Sequence, residues 1–213
     1  MPGKAVVIAL GGNAILRHRE TGTAEEQFAN VRRTVRHIAG IAGDGYAVAV
    51  THGNGPQVGD ILLKNELAKD TLPPMPLDVC GAESQGMIGY LLQQSLQEAL
   101  FAAGMDCPVA TVLTQTLVAA VDPAFQTPEK PIGPFYTAMQ ARRLENEKGW
   151  RMTQIPGQGY RRVVPSPRPI ALVEGEAIAR LCSAGAVVIA AGGGGVPVVA
   201  GPGGTLRGVE AVV

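Results

Sequence analysis

The chain has 213 residues, of which 46% are hydrophobic, 17% charged and 4% aromatic; it is long enough for one large or two small domains, with a core of Val, Leu, Ile and Ala rather than aromatic rings. Lys plus Arg and Asp plus Glu both number 18, which leaves no excess positive charge to neutralise a nucleic acid or an anionic membrane. Cys80, Cys107 and Cys182 are odd in number and far apart, which argues against a disulfide framework or a zinc site, and no apolar run has signal-peptide or transmembrane length, so a cytoplasmic protein is expected.

Ala5 to Leu10 is an unbroken apolar run rich in Val, and it predicts a strand buried on both faces, as in a parallel sheet covered by helices. Gly11 and Gly12 end it. Residues without a Cβ let backbone N–H groups approach a ligand, and in open α/β sheets ligands lie beyond the carboxyl ends of the strands. Thr23 with Glu26 forms a capping-box pattern, and Phe28, Val31, Val35 and Ile38 follow at helical spacing up to Gly43-Asp44-Gly45, predicting an amphipathic helix. Tyr46 to Thr51 reads as a second buried strand completing a right-handed βαβ unit. At its carboxyl end, His52-Gly53-Asn54-Gly55-Pro56-Gln57 precedes a helix expected from Val58 to Lys69. Two Gly-Asn loops then share one edge of the sheet.

Thr71 to Pro76 is a proline-rich connector. Leu77 to Ala103 has helical composition, but Gly81, Gly86 and Gly89 call for either close packing or a break. Pro108 to Val112 begins a further strand. From Asp122 to Pro169 prolines and most aromatics gather, which marks an inserted subdomain with a helix over 137–148 and a hairpin of Met152 to Ile155 with Tyr160 to Val164. Such a segment serves as a flexible lid or stands as a rigid excrescence. Ile170 to Val173 resumes the main layer, followed by a helix from Glu174 to Ser183 with Ile178, Leu181 and Cys182 inward, then a strand from Ala186 to Ala191. Gly192-Gly193-Gly194-Gly195 comes directly after it, and a run of glycines between two buried strands reads as a third anion-tolerant loop.

Three backbone-rich loops, without a Cys or Ser nucleophile motif and with His18, His37 and His52 scattered, point to anion binding rather than covalent hydrolysis. His52 is read as a residue that shapes its loop. Phosphoryl transfer suits this equipment, because its transition state needs mostly positioning and charge neutralisation.

Ile8-Ala9-Leu10-Gly11-Gly12-Asn13-Ala14, His52-Gly53-Asn54-Gly55-Pro56-Gln57-Val58-Gly59, Lys130-Pro131-Ile132-Gly133-Pro134-Phe135-Tyr136 and Ala191-Gly192-Gly193-Gly194-Gly195-Val196-Pro197 together resemble carbamate kinases of the amino-acid kinase family. The resemblance runs to Val213. It implies a three-layer α/β/α sandwich with a mainly parallel sheet and a small protruding subdomain, and a homodimer with neither nucleic acid nor membrane as partner. The implied reaction interconverts ATP, with Mg2+, and carbamate with ADP and carbamoyl phosphate, running toward ATP in arginine breakdown. Gly11, Gly12 and Asn13 would line the transfer point, Gly53 and Asn54 would hold the carbamate or the transferred group, and Gly193 and Gly194 would close the opposite side. Ala9 stands where related acetylglutamate kinases carry a lysine, and the resemblance offers Lys130 as the catalytic cation instead; metal ligands are not implied. Residues 1–121 and 170–213 would form the carbamate-binding domain and 122–169 the lid. Similar kinases continue past Gly208-Val209-Glu210-Ala211-Val212 into an Asp-Lys-Asp segment and a nucleotide-binding half, so this stretch is expected to lack that half and to be inactive alone. The competing expectations are another amino-acid kinase acting on a carboxylate, and a non-catalytic anion-binding fragment.

Overall fold

Alternation along the first strand decides where it sits. In the computed structural model, which describes residues 4–17 and 19–213 with the side chain of Asn13 excluded, Val6 and Ile8 of β1 (Ala5–Leu10) pack into the main core. Val7, on the opposite face, is 72% exposed. The strand is therefore not buried on both faces as expected: it is the edge of its sheet, and no described element covers its outer side. His18 lies outside the described residues.

The next elements are α1 (Ala24–Gly43), β2 (Ala47–His52), α2 (Gly55–Ala68), α3 (Leu77–Ala102), β3 (Val109–Thr111) and β4 (Gln115–Val118). After these come β5 (Lys130–Tyr136), α4 (Ala138–Lys148), β6 (Arg151–Ile155), β7 (Gly159–Val164), β8 (Pro169–Leu172), α5 (Gly175–Ser183), β9 (Val187–Ile189), β10 (Val196–Ala200) and β11 (Leu206–Gly208). One sheet is wholly parallel, in the order β1-β2-β9-β3. A second, β11-β10-β4-β8, pairs β10 and β4 in parallel and adds an antiparallel strand at each edge.

Helix α1 starts where its capping box directs: Thr23 accepts from the Glu26 N–H, and the Glu26 carboxylate accepts from the Thr23 N–H. Its Val31, Val35 and Ile38 meet Ile88, Leu92, Leu96 and Leu100 of α3 over Val48, Val50, Val187 and Ile189 of the sheet. Each of these side chains contributes about 2 kcal/mol on burial. Helix α3 runs unbroken because Gly89 is a packing residue: a Cβ there would collide with the Thr111 side chain, whose hydroxyl donates to the Gly89 carbonyl at 3.2 Å. On the other face of the sheet, α5 sets Ile178 and Cys182 against Ala186, Val188 and Ala190, completing the third layer. Leu181, expected inward, is exposed; a short helix lying on small side chains makes contact along a narrow strip that Ile178 and Cys182 already fill.

The inserted segment forms its own antiparallel sheet, β5-β7-β6, with α4 beside it. The helix and hairpin agree with expectation, whereas β5 was hidden by Pro131 and Pro134, which a sheet edge tolerates. The subdomain is docked on α2. A Cβ on Gly59 would stand 3.7 Å from the Cα of Gly133, Lys148 pairs with Glu66, and Arg162 pairs with Glu210 at 2.5 Å.

Candidate active site

The first two loops are tied together by backbone. The Gly53 N–H donates to the Leu10 carbonyl at 2.9 Å, and a Cβ on Gly53 would lie 3.7 Å from the Gly12 nitrogen. Gly12 itself opens a short 3-10 turn, Gly12–Ala14. Neither Gly11 nor Gly12 has a positive φ, and a Cβ on either would meet nothing within 4 Å. Their value is open space rather than unusual backbone geometry. The side chain of Asn13 lies outside the described residues.

The third loop leans on the second. The Thr51 hydroxyl donates to the Ala191 carbonyl at 2.8 Å, and a Cβ on Gly192 would come within 2.5 Å of the His52 ring. His52 is 4% exposed, and its Nδ1 lies 3.0 Å from the Gly53 carbonyl, a contact that places the proton on Nδ1. Burial pushes its pKa down and the Gly53 carbonyl opposes this, so the ring is a neutral strut between loops. Gly193, at φ +62°, lies against the Asn54 side chain. Both features exclude other residues: an L side chain is strained at this φ, and a Cβ would occupy the space of the amide. The Asn54 amide is held by the Ser84 hydroxyl at 2.8 Å, which in turn donates to the Gly81 carbonyl at 2.6 Å. Thr116 donates to the Gly194 carbonyl at 2.5 Å.

Helix α2 starts at Gly55, not Val58, and Asn54 at its N-cap makes no capping bond because its side chain is engaged by Ser84. The first turn thus presents uncapped N–H groups, with the positive end of the helix dipole, beside the loops.

These parts enclose a cleft of about 440 Å³ whose wall includes Gly53, Asn54, Gly193, Gly194, Lys130 and Arg161. The structure thus brings together five of the residues singled out in the sequence. Gly11 and Gly12 sit next to this wall rather than on it. Arg161 was missed by sequence reasoning, although strand alternation through Arg161-Arg162 carries the signal: successive side chains point to opposite faces. Among the described residues no Asp or Glu side chain lines the cleft, and neither Lys130 nor Arg161 forms an ion pair. The described residues contain no group of three His, Cys, Asp or Glu side chains able to hold a metal. This wall offers no Asp or Glu side chain, among the described residues, as a ligand for a magnesium ion of its own. No described helix is long and apolar enough to cross a membrane.

The model of the amino acid kinase family matches residues 4–209. The carbamate kinase of Pyrococcus furiosus is 53% identical over 213 residues, covering 99% of this chain and 68% of that protein. That of Clostridium perfringens is 47% identical, covering 98% and 67%. Carbamate kinase from Giardia lamblia bound to AMP-PNP superposes with a TM-score of 0.91 at 44% identity, covering 99% of this chain and 66% of that one. The same enzyme bound to citric acid gives 0.88, covering 99% and 68%. The chain spans about two thirds of the length of these relatives. It belongs to the amino acid kinase family, as a phosphotransferase homologous to carbamate kinases.

Proposed function

We propose that this chain is the carbamoyl-phosphate-binding part of a carbamate kinase, which interconverts ATP and carbamate with ADP and carbamoyl phosphate. The observation that carries the reading is the cleft in which two glycine loops face Lys130 with no Asp or Glu side chain among the described residues of its wall. A carbamoyl phosphate dianion needs what this wall offers: backbone N–H groups, an uncapped helix start and cationic side chains. In the ATP-forming direction an oxygen of the ADP β-phosphate attacks the phosphorus, the bond from phosphorus to the carbamate oxygen breaks, and its electron pair leaves on carbamate. No proton has to move in that step.

Lys130 neutralises charge on the phosphoryl oxygens as they pass between donor and acceptor. Asn54, fixed by Ser84 and pressed by Gly193, orients the carbamoyl end, and Gly11 and Gly12 leave room for the group in transit, with Asn13 beside them. Residues 1–121 and 170–213 form the cradle and 122–169 a lid that brings Lys130. ATP or ADP, with Mg2+, is the nucleotide partner, and breakdown of arginine is the setting. The relatives' names support this chemistry, and exposed Tyr90 and Phe101 on α3 support a homodimer. The test is ATP formation from carbamoyl phosphate and ADP by the full-length protein in a luciferase-coupled assay. Turnover with another acyl phosphate, and none with carbamoyl phosphate, would replace carbamate by another carboxylate.

A further inference from the structure

Two consecutive arginines on β7 face different surroundings. Arg162 is paired with Glu210 at 2.5 Å and lies over the Trp150 ring, its charge compensated on both sides. Arg161 lines the glycine-loop cleft, half-buried, with no carboxylate partner among the described residues. Its guanidinium rests 5.3 Å from the Phe135 ring centre, and its Nε donates to the Gly133 carbonyl at 3.1 Å. That contact is built. The pairing of β5 with β7 shifts register between Ile132 and Tyr136, and Gly133 sits there at φ +70°, a conformation that glycine adopts without strain. The irregularity presents one carbonyl to the Nε, while neither terminal amino group has a partner among the described residues.

A guanidinium withdrawn from water without a counter-ion is costly, since a buried charge is stable only when paired. Desolvation pushes its pKa down, yet arginine stays protonated at any physiological pH. An anion received by the cleft would meet this charge at its two open terminal nitrogens. A fork with Nε occupied and both terminal nitrogens open matches two oxygens of one phosphoryl group.

We infer that Arg161 is a second substrate-binding cation of the cleft, gripping two phosphoryl oxygens of an acyl phosphate alongside Lys130. This rests on the carbamate kinase reading for the identity of the acyl phosphate, but not for the chemistry of the anion. Lys130 is exposed and free to follow the phosphoryl group, whereas Arg161 is clamped by Gly133 and Phe135 and holds the group where it arrives. A purely structural clip would make the same contacts with Gly133 and Phe135, and the experiment separates the two.

In the full-length protein, kcat and KM are measured for both carbamoyl phosphate and ADP in Arg161→Gln, Arg161→Lys and Arg162→Gln. Losing a bidentate charged contact should cut kcat/KM for carbamoyl phosphate in Arg161→Gln by about 10-fold to 100-fold, with the KM for ADP unchanged. Arg161→Lys should recover part of the loss, and Arg162→Gln should match the parent. In parallel, inorganic phosphate should raise the melting temperature of the parent and not that of Arg161→Gln. Parent-like kcat/KM in Arg161→Gln, or an equal phosphate-induced rise, overturns the inference. A parent protein that is inert toward carbamoyl phosphate but stabilised by phosphate through Arg161 overturns the proposed substrate and leaves the arginine's role standing. Should Arg161→Gln fail to fold, a parent-like kcat/KM in a folded Arg161→Lys decides against the fork, because a lysine cannot reproduce it.

Discussion

Two clefts flank the inserted subdomain, and the larger is the poorer candidate. The larger, about 1120 Å³, lies between α2, β11 and the subdomain, with Glu66, Lys148, Trp150, Arg151, Arg162, Arg207 and Glu210 on its wall. Two of its four cations are spent, Lys148 on Glu66 and Arg162 on Glu210, and both lie over the Trp150 ring, at 4.7 and 4.3 Å from its centre, whereas Arg151 reaches the Gln126 carbonyl and neither it nor Arg207 forms an ion pair among the described residues. The smaller cleft holds Lys130 and Arg161 with no Asp or Glu on its wall, beside bare glycine backbone. One surface is a joint in which two ion pairs hold the subdomain down and two further arginines remain, away from the glycine loops. The other sets two cations without ion-pair partners among the described residues directly against bare glycine backbone. Volume does not locate the site; unpaired charge next to open backbone does.

The sharpest way to break this contrast is Lys130→Ala in the full-length protein. Loss of a charge that stabilises the transferring phosphoryl group should lower turnover with carbamoyl phosphate and ADP about 100-fold to 1000-fold. The melting temperature should not move, because the side chain is exposed and holds no ion pair among the described residues. Lys130→Arg should rescue only in part, since a planar fork is not a point charge. Parent-like turnover in Lys130→Ala would remove the cation from the account.

Glycines in and beside the small cleft should divide by mechanism. Gly193→Ala places a side chain at φ +62° and against Asn54, so it should lose about 1–3 kcal/mol of stability and slow the reaction by displacing the amide. Gly12→Ala meets nothing within 4 Å, so it should melt like the parent and slow only phosphoryl transfer. Thermal denaturation alongside the coupled assay checks both, and a destabilised Gly12→Ala would contradict the reading of that position as open space.

Much of the small cleft is legible in the residues. The run ending in Gly11-Gly12, the loop from His52 to Gln57 and the four glycines after β9 each declare a strand end, and three such ends on one side of a sheet define a binding edge. Other features depend on neighbours far along the chain. That β1 leaves Val7 exposed follows from its place at the sheet edge, which no local pattern encodes. That Arg161 and Arg162 face opposite ways follows from strand alternation, but which of them meets the glycines depends on how β7 is placed by its partners β5 and β6. The start of α2 at Gly55 is masked because Gly55-Pro56 reads as a turn, although proline is tolerated in a first helical turn, and because Asn54 at the N-cap turns its side chain to Ser84, thirty positions on, instead of capping. Gly12 is the converse: its type suggests an unusual backbone conformation, but the structure gives it an ordinary one.

In the larger cleft, Glu66→Gln removes the partner of both Lys148 and Lys69. Such half-exposed pairs contribute up to about 1 kcal/mol, so the melting temperature should drop slightly while kcat/KM stays parent-like. A collapse of activity without unfolding would assign this cleft a catalytic part.

The smallest effect concerns acid. His52, on the wall of the small cleft, has its pKa lowered by burial from the ordinary 6.5, so below that pH the unfolded chain binds a proton that the folded ring refuses. Stability should therefore be unaffected above pH 7, begin to fall as pH drops through 6.5, and level off below the folded value. Among the described residues the larger cleft has no histidine on its wall. His52→Asn should flatten this part of the pH profile, followed by urea denaturation between pH 7.5 and 5; an unchanged slope would place the acid sensitivity elsewhere.

The central claim is that anions enter the small cleft and not the large one, and a phosphate titration followed by two-dimensional amide NMR reads both at once. Trp150 is the single tryptophan, so its indole N–H reports on the large cleft without ambiguity. The account predicts saturable shifts of the Gly53, Asn54, Gly193 and Gly194 amides while the Trp150 indole stays in place. Saturable movement of the Trp150 indole with the four loop amides unmoved would contradict it.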